Sequence, residues 1–370
     1  MASSQKDIKT LTDLTSQTLH LLGQFSSILS SSAPAPATSL PAQSPDPLSV
    51  LADASTLLHA QTTKLSLLLL NKPFTPTAVT TVIRAISTTC LPAMMSAVEV
   101  CRPEKHSDVM SHEIKSRVGR VFREMETMMR EAIAVSSAAN SISNGKETDG
   151  PAFGALGSGG RDCLASTGVV WEACNAVADL QKLGLGGLIV KKAEQYRDTI
   201  KDAIEELKEW SEEVEDDEAG SEDESTGSDE DGDGDTGDVE DIFAAANKLP
   251  KDRGELHAQL EEALKKLKMI SMLYQALVKR RLKTFPQISS ASASQMQQLD
   301  QLMKILQLLP EIVDELVGSF YELDDKVAKA VLSKCCEDAR AAAATVRLSW
   351  DGTTDEFSAW KGKWEDAMAK

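Results

Sequence analysis

The stretch LHAQLEEALKKLKMISMLYQAL, Leu256 to Leu277, decides the fold. Its apolar residues recur at alternating spacings of four and three, and they are Leu256, Leu260, Ala263, Leu267, Ile270, Tyr274 and Leu277. This period places them on one side of an α-helix, where neighbouring helices can bury them. A second seam of the same kind follows, formed by Leu299, Leu302, Leu306, Leu309, Val313, Leu316, Phe320 and Leu323. The two seams predict helices that pack on one another.

The composition extends this prediction to the whole chain. The 370 residues are 42% apolar but only 4% aromatic. Leu, Ala, Met, Glu and Lys favour helices, and the sequence has few of the aromatic and β-branched runs from which strands are built. We therefore predict an all-α protein of up-and-down helical bundles, long enough for two domains.

Proline, glycine and acidic residues divide the chain. We predict an N-terminal bundle over residues 1–210, a disordered acidic insert over 211–241, and a C-terminal bundle over 242–370. Within the first bundle, we interpret residues 31–47 as a proline-rich linker and 143–160 as a glycine-rich loop. We also expect Pro92 to kink or divide the helix that contains it, and Pro310 to interrupt the second seam.

The acidic insert carries 17 Asp and Glu residues and no Lys or Arg, so the rest of a chain of net charge -18 sums to -1. Within it, DEDGDGDTGDVE, Asp229 to Glu240, matches the pattern of a calcium-binding loop. Such loops need a helix on each side, and the preceding residues have no apolar face. The chain also has no second loop to pair with it. We interpret the match as accidental.

The same insert holds three candidate phosphorylation sites: Ser221, Thr226 and Ser228, each followed three residues later by an acid. This spacing suits acidophilic kinases, and a phosphate would add further negative charge. Two interpretations of the insert remain open: a solvated spacer, or an electrostatic attractant for basic partners.

No catalytic motif is found in the sequence. It has no G-x-S-x-G, no phosphate-binding GxxxxGK[ST] and no GxGxxG after a strand. The histidines are scattered, none of the six cysteines forms a C-x-x-C pair, and no secretory leader is seen. The aliphatic run Leu65 to Leu70 is too short to cross a bilayer. We expect a non-enzymatic intracellular protein that binds no cofactor, metal, small molecule, membrane or nucleic acid directly.

Two patterns have two interpretations each. The basic cluster Lys279, Arg280, Arg281 and Lys283 fits either a nuclear address or cations at the end of a helix, and we favour the second. The two apolar seams fit either leucine zippers for dimerisation or the cores of bundles within one chain. We favour the cores, because Pro310 falls inside the second seam.

Two stretches resemble a known family: KLSLLLLNKPFTPTAVTTVIRAI, Lys64 to Ile86, and STGVVWEACNAVADLQKLGLGG, Ser166 to Gly187. They are similar to fungal members of the cyclin-D1-binding protein family, also called Grap2-and-cyclin-D-interacting proteins, and VWEAC matches that family's V-W-x-A-C helix. The resemblance implies bundles similar to those of talin and vinculin. It also implies an adaptor in nucleus and cytoplasm that is linked to cell-cycle control through cyclin D.

Three functions remain open from the sequence. The first is an adaptor that regulates cell-cycle progression through cyclin-like partners or transcription regulators, as the resemblance implies. The second is a talin- or vinculin-like cytoskeletal linker, and the third is an acidic chaperone for basic proteins. No partner-binding residue is identified. For Trp171 and Cys174 we expect core packing, together with Val170, Val177 and Leu180.

Overall fold

The computed structural model describes residues 2–31, 45–71, 73–143, 152–212 and 253–370; residues 2–4, 139–143 and 152–162 are described by their backbone alone. Across these ranges the regular structure is helical and contains no strand. The prediction of an all-α fold built from helical bundles is therefore confirmed. The chain forms two compact units, Met1–Leu185 and Gly186–Lys370.

Unit 1 is a bundle of antiparallel helices. Its elements are α1 (Ala2–Ser30), α2 (Pro47–Leu70), α3 (Pro76–Ala85), α4 (Leu91–Val100), the short α5 (Pro103–His106), α6 (Asp108–Ser143) and the first part of α7 (Ala152–Glu212). Asp46 caps α2 by accepting a hydrogen bond from the Ser49 amide, which satisfies one of the free amides at a helix start. Leucine, isoleucine and methionine side chains from these helices fill the core.

A π-helical turn, Ile86–Cys90, joins α3 to α4. The turn directly precedes Pro92, whose missing amide and bulky ring disturb an ordinary helical ladder. Pro92 therefore distorts the helix, as predicted, but does not divide it. The continuous segment Pro76–Val100 is long and apolar enough to cross a membrane, yet half of its most apolar window is buried in the protein, and core helices of soluble proteins meet the same criteria.

Helix α7 is broken at Gly184, where φ is +58° and ψ is -173°. This region of the backbone map is open essentially to glycine alone. The boundary between the two units follows at residues 185 and 186. Residues 186–212 therefore lie in unit 2, whereas the predicted N-terminal bundle ran to residue 210. The apolar side of this segment explains the difference: Leu188, Ile189, Ile200 and Leu207 are buried, and the Trp210 ring packs on that of Tyr321 at 5.3 Å.

Part of the predicted glycine-rich loop over residues 143–160 is helical, and residues 144–151 lie outside the described ranges. Helix α6 continues to Ser143 and α7 begins at Ala152. Glycine lowers helix propensity by about 1 kcal/mol per residue but does not forbid helical dihedrals. The predicted proline-rich linker lies almost entirely among residues 32–44, outside the described ranges.

Unit 2 comprises the second part of α7 with α8 (Gly254–Leu277), a π-helical turn (Val278–Leu282), α9 (Ala293–Tyr321), α10 (Asp325–Thr345) and α11 (Glu356–Met368). The first seam is at most 2% exposed at every position, and the second is at most 1% exposed from Leu299 to Phe320. Leu323, its last member, follows the end of α9 at a φ of +57°. Both seams are buried within this chain, so interpreting them as bundle cores was correct.

The prediction that Pro310 interrupts the second seam was wrong, because α9 runs unbroken through it. A proline at this position cannot donate the helical hydrogen bond to the carbonyl of Leu306. The buried hydroxyl of Tyr274 donates to that carbonyl instead, at 2.6 Å. A side chain of α8 thus replaces the missing backbone donor of α9.

Candidate functional site

The acidic insert lies almost wholly outside the described residues. The calcium-loop match from Asp229 to Glu240 and the candidate phosphorylation sites Ser221, Thr226 and Ser228 all fall between residues 213 and 252, which are not described. They stay predictions from the sequence.

The basic cluster near the end of α8 is divided between the interior and the surface. Arg281 is 1% exposed, and its guanidinium donates to both carboxylate oxygens of Asp355, at 2.7 and 2.8 Å. Arg280 pairs with Glu356, whereas Lys279 and Lys283 are exposed. Two of the four cations are thus committed to the start of α11.

Arg281 also joins three chain segments. It donates to the carbonyl of Arg280 in its own helical turn and to that of Val346 just after α10, both at 2.8 Å. Its guanidinium carbon lies 4.4 Å from the centroid of the Phe357 ring. The guanidinium holds the pKa of Asp355 well below its usual range. A cation at the helix end was predicted correctly, but most of its partners belong to other helices.

The cysteines form no reactive centre in the described structure. All six are buried free thiols. Burial raises the pKa of Cys90 to about 11 and those of Cys101, Cys174 and Cys335 to about 12, so the nucleophilic thiolate is disfavoured. Within the described ranges, no group of three or more His, Cys, Asp or Glu side chains is placed to hold a metal ion.

The V-W-x-A-C helix lies in the first part of α7, antiparallel to α2. Three contacts fix this register. The Gln181 amide donates to the Ser49 hydroxyl at 3.1 Å, the rings of Trp171 and His59 stack with centroids 4.9 Å apart, and Cys163 Sγ lies 3.9 Å from Ser66 Oγ. The residue numbers fall along α7 as they rise along α2.

One side of the V-W-x-A-C motif faces the core, and another faces the edge that α7 shares with α2. Val170, Cys174, Val177 and Leu180 are at most 1% exposed, which confirms core packing for these four. Trp171 meets that prediction only in part, because the residue is partly exposed and its ring stacks on His59 with an interplanar angle of 16°. Successive residues on a helix are turned by about 100°, so Val170 faces the core while Trp171 faces α2.

Two exposed leucines accompany this aromatic pair. Leu67 of α2 is 55% exposed and Leu164 of α7 is 57% exposed. Leu67 directly follows Ser66, and Leu164 directly follows Cys163, so the two leucines lie next to the Ser66–Cys163 contact. Leu164 is also two helical turns before Trp171, on the same side of α7. We call His59, Leu67, Leu164 and Trp171 the α2–α7 seam. The leucines were not singled out in the sequence, although the seven-residue spacing of Leu164 and Trp171 was a usable signal.

Polar contacts hold the other edge of α7. Arg117 of α6 donates to the carbonyl of Ala176 and pairs with Glu113 at 2.6 Å. Arg120 of α6 pairs with Glu172 at 3.1 Å. Helix α7 is therefore fixed to α6 by charged groups, while its edge with α2 presents apolar and aromatic surface.

These features place the chain in a class: all-α proteins made of helical bundles. The comparison with known families goes further. Residues 50–213 match the model of the Grap2 and cyclin-D-interacting proteins, N-terminal region. The matched residues include most of both helices of the α2–α7 seam, and the predicted resemblance to this family is confirmed.

One relative extends over nearly the full length. The chain is 24% identical over 331 residues to an uncharacterized protein of Schizosaccharomyces pombe, covering 88% of this chain and 86% of the relative. This similarity extends into unit 2 beyond residue 213, where the family match ends.

Proposed function

We propose that the protein is a non-enzymatic adaptor that binds protein partners through the α2–α7 seam and regulates cell-cycle progression, with a D-type or related cyclin as partner. The observation that carries the proposal is a partly buried Trp171 on the same pair of helices as two leucines, two helical turns away, that are each more than half exposed. Neighbouring exposed apolar side chains mark sites of protein interaction. The family name, which refers to cyclin D and Grap2, supports the class of partner.

The polar end of Trp171 supports its role as a contact residue. Its indole nitrogen is buried and has no hydrogen-bond partner among the described residues. By contrast, the indole nitrogens of Trp350 and Trp364 donate to backbone carbonyls at 2.8 and 3.0 Å. A buried donor without an acceptor is costly, so a rearrangement that gives Trp171 an acceptor in a complex is favoured. Tryptophan is also among the residues that contribute most to interfaces.

Binding of the full chain to a purified D-type cyclin, measured by surface plasmon resonance, tests the proposal. The double variant Leu67→Ser/Leu164→Ser removes two side chains that are each more than half exposed, so it disturbs the core little. We expect it to weaken binding by about tenfold or more, the effect of losing roughly 1.4 kcal/mol of contact energy.

The matched control removes two leucine-sized side chains from unit 2. Met272 and Leu308 are 54% and 44% exposed, and the variant Met272→Ser/Leu308→Ser should bind like the wild type. Equal binding by the wild type and both variants would show that the seam is not the interface. Absence of cyclin binding by the wild type would contradict the proposed partner.

A second candidate function is a cytoskeletal linker, favoured by the two successive helical bundles. Co-sedimentation with actin filaments separates the two candidates. The adaptor remains in the supernatant, whereas a filament-binding linker enters the pellet. The proposed distribution between nucleus and cytoplasm is tested separately by imaging the tagged full chain in cells.

A further inference from the structure

A basic cleft lies between α1 and α6 of unit 1. It has a volume of about 310 Å³, at the lower end of the range for small-ligand pockets. Its α6 wall is a single stripe of residues spaced three or four apart, namely His112, Lys115, Gly119 and Arg123. Residues at this spacing share one side of a helix.

The two long cations of this stripe have no salt-bridge partner. Lys115 and Arg123 are both exposed, and neither pairs with a carboxylate within the described ranges. Other arginines of α6 do pair: Arg117 with Glu113 and Arg120 with Glu172. No acidic residue lines the cleft, so its positive charge is not neutralised locally.

The α1 wall contributes Ser26 and Leu29. A Cβ atom built on Gly119 would lie 3.8 Å from Leu29 Cδ1 and 3.8 Å from an Arg123 nitrogen. The glycine therefore leaves open the space between the cation and the apolar wall, which any larger side chain would begin to fill.

Ser26 is the second observation that points to a ligand. Its hydroxyl oxygen is buried and has no hydrogen-bond partner among the described residues. In the same helix, Thr15, Thr18 and Ser30 each donate to the carbonyl four residues earlier, at 2.8 to 2.9 Å. Ser26 lacks this ordinary local bond, and buried hydroxyls are rarely left without one.

We propose that this cleft binds a phosphate monoester on a partner protein, a phosphoserine or phosphothreonine side chain. Such a phosphate carries about -1.5 to -2 charges at neutral pH, and its oxygens are strong acceptors. Lys115 and Arg123 balance that charge, Ser26 donates a hydrogen bond, and Leu29 contacts the carbon atoms next to the phosphate. The inference rests on the proposed function, because it assigns a protein ligand to the adaptor.

The number of cations favours this ligand over larger polyanions. Nucleic-acid sites need many clustered Lys and Arg residues to replace phosphate counterions. Polybasic segments that bind anionic lipid contain about four to eight cations. Two cations with a hydroxyl donor match a single phosphate, as in proteins that read phosphorylated motifs.

Fluorescence polarisation with the full chain tests the proposal. The probes are two fluorescein-labelled degenerate peptide mixtures that differ only in a central phosphoserine or serine, and inorganic phosphate is added as competitor in a separate arm. We expect the phosphorylated mixture to bind about tenfold tighter or more, the gain typical of a charge-assisted contact. Lys115→Gln/Arg123→Gln should abolish this preference, and Ser26→Ala should reduce it.

The control Lys9→Gln/Lys64→Gln removes the same charge from two other exposed lysines of unit 1 and should keep the preference. The proposal is overturned if the wild type binds both mixtures equally, or if the cleft variant and the control lose affinity alike. Tight binding of inorganic phosphate without a preference between the peptides also overturns it. Any of these results leaves cyclin binding through the α2–α7 seam unaffected, since that is measured with other variants.

Discussion

Arg281 connects α8, the end of α10 and the start of α11. The carboxylate of Asp355 offsets the cost of burying its charge. The guanidinium is 1% exposed whereas the carboxylate is 34% exposed. Removing the carboxylate therefore leaves a buried cation without its counter-charge, which is among the more destabilising single changes in proteins. The neighbouring pair of Arg280 and Glu356 lies at the surface, with Glu356 79% exposed.

We predict that Asp355→Ala lowers the free energy of unfolding by about 3 kcal/mol, including the loss of a helix cap. Glu356→Ala, one residue away, should cost less than about 1 kcal/mol, because exposed ion pairs contribute little. Urea unfolding of the full chain followed by circular dichroism measures both. Equal effects of the two substitutions would show that Arg281 does not depend on Asp355.

The same pair predicts an acid-dependent effect. Arg281 lowers the pKa of Asp355 in the folded state below its ordinary value of 3.8, so the unfolded chain takes up this proton first. The stabilisation is complete above about pH 5 and is lost progressively as the pH falls through the unfolded value towards the lower folded one. The difference between wild type and Asp355→Ala should therefore shrink between pH 5 and pH 3. A difference that stays constant over this range would contradict the pairing.

At the scale of the element, α9 depends on a donor from α8. Tyr274→Phe leaves the Leu306 carbonyl without its 2.6 Å hydrogen bond, at an expected cost of about 1 to 2 kcal/mol. In the background Pro310→Ala, the new amide at position 310 can bond to the same carbonyl, so the tyrosine substitution should cost less. Chemical unfolding of the four proteins of this cycle gives the coupling energy. A cost that is the same in both backgrounds would contradict the compensation.

The break in α7 gives a second prediction at this scale. Gly184 has a φ of +58°, and a Cβ atom there would meet nothing within 4 Å, which is also true at Gly186 inside the helix. Gly184→Ala should therefore destabilise the protein by about 1 to 3 kcal/mol through backbone strain alone. Gly186→Ala should stabilise it by up to about 1 kcal/mol through helix propensity. Thermal unfolding of both variants checks the opposite signs; equal signs would show that the break is not required.

The sequence predicted correctly those helices whose buried side follows from the spacing of their apolar residues. The α8 seam is buried at every predicted position because burial on a helix follows its period. Trp171 is less buried than predicted, since one residue of offset moves a side chain from the core towards an edge. The contact of Arg281 with Asp355 spans 74 residues, and the cleft of Ser26 and Arg123 joins two separate helices. Such contacts depend on packing that a local pattern does not specify.

At the scale of the whole molecule, the two units differ in how they use their polar groups. In unit 2, Arg281 and Lys266 are buried and bind the two ends of α11, the latter through the Met368 carbonyl at 2.6 Å. In unit 1, Lys115 and Arg123 are exposed without carboxylate partners in the described structure, and Trp171 lies at an apolar edge. Both surfaces that we assign to binding therefore belong to unit 1.

Hydrogen–deuterium exchange of the full chain with and without a bound D-type cyclin tests the proposed interface most directly. Amides that a partner covers exchange more slowly, and the footprint reports position without any substitution. We predict slower exchange in peptides from residues 56–70 of α2 and 163–174 of α7, with α9, α10 and α11 unchanged. Protection confined to unit 2, or none in these two segments, would contradict a protein-binding role for the α2–α7 seam.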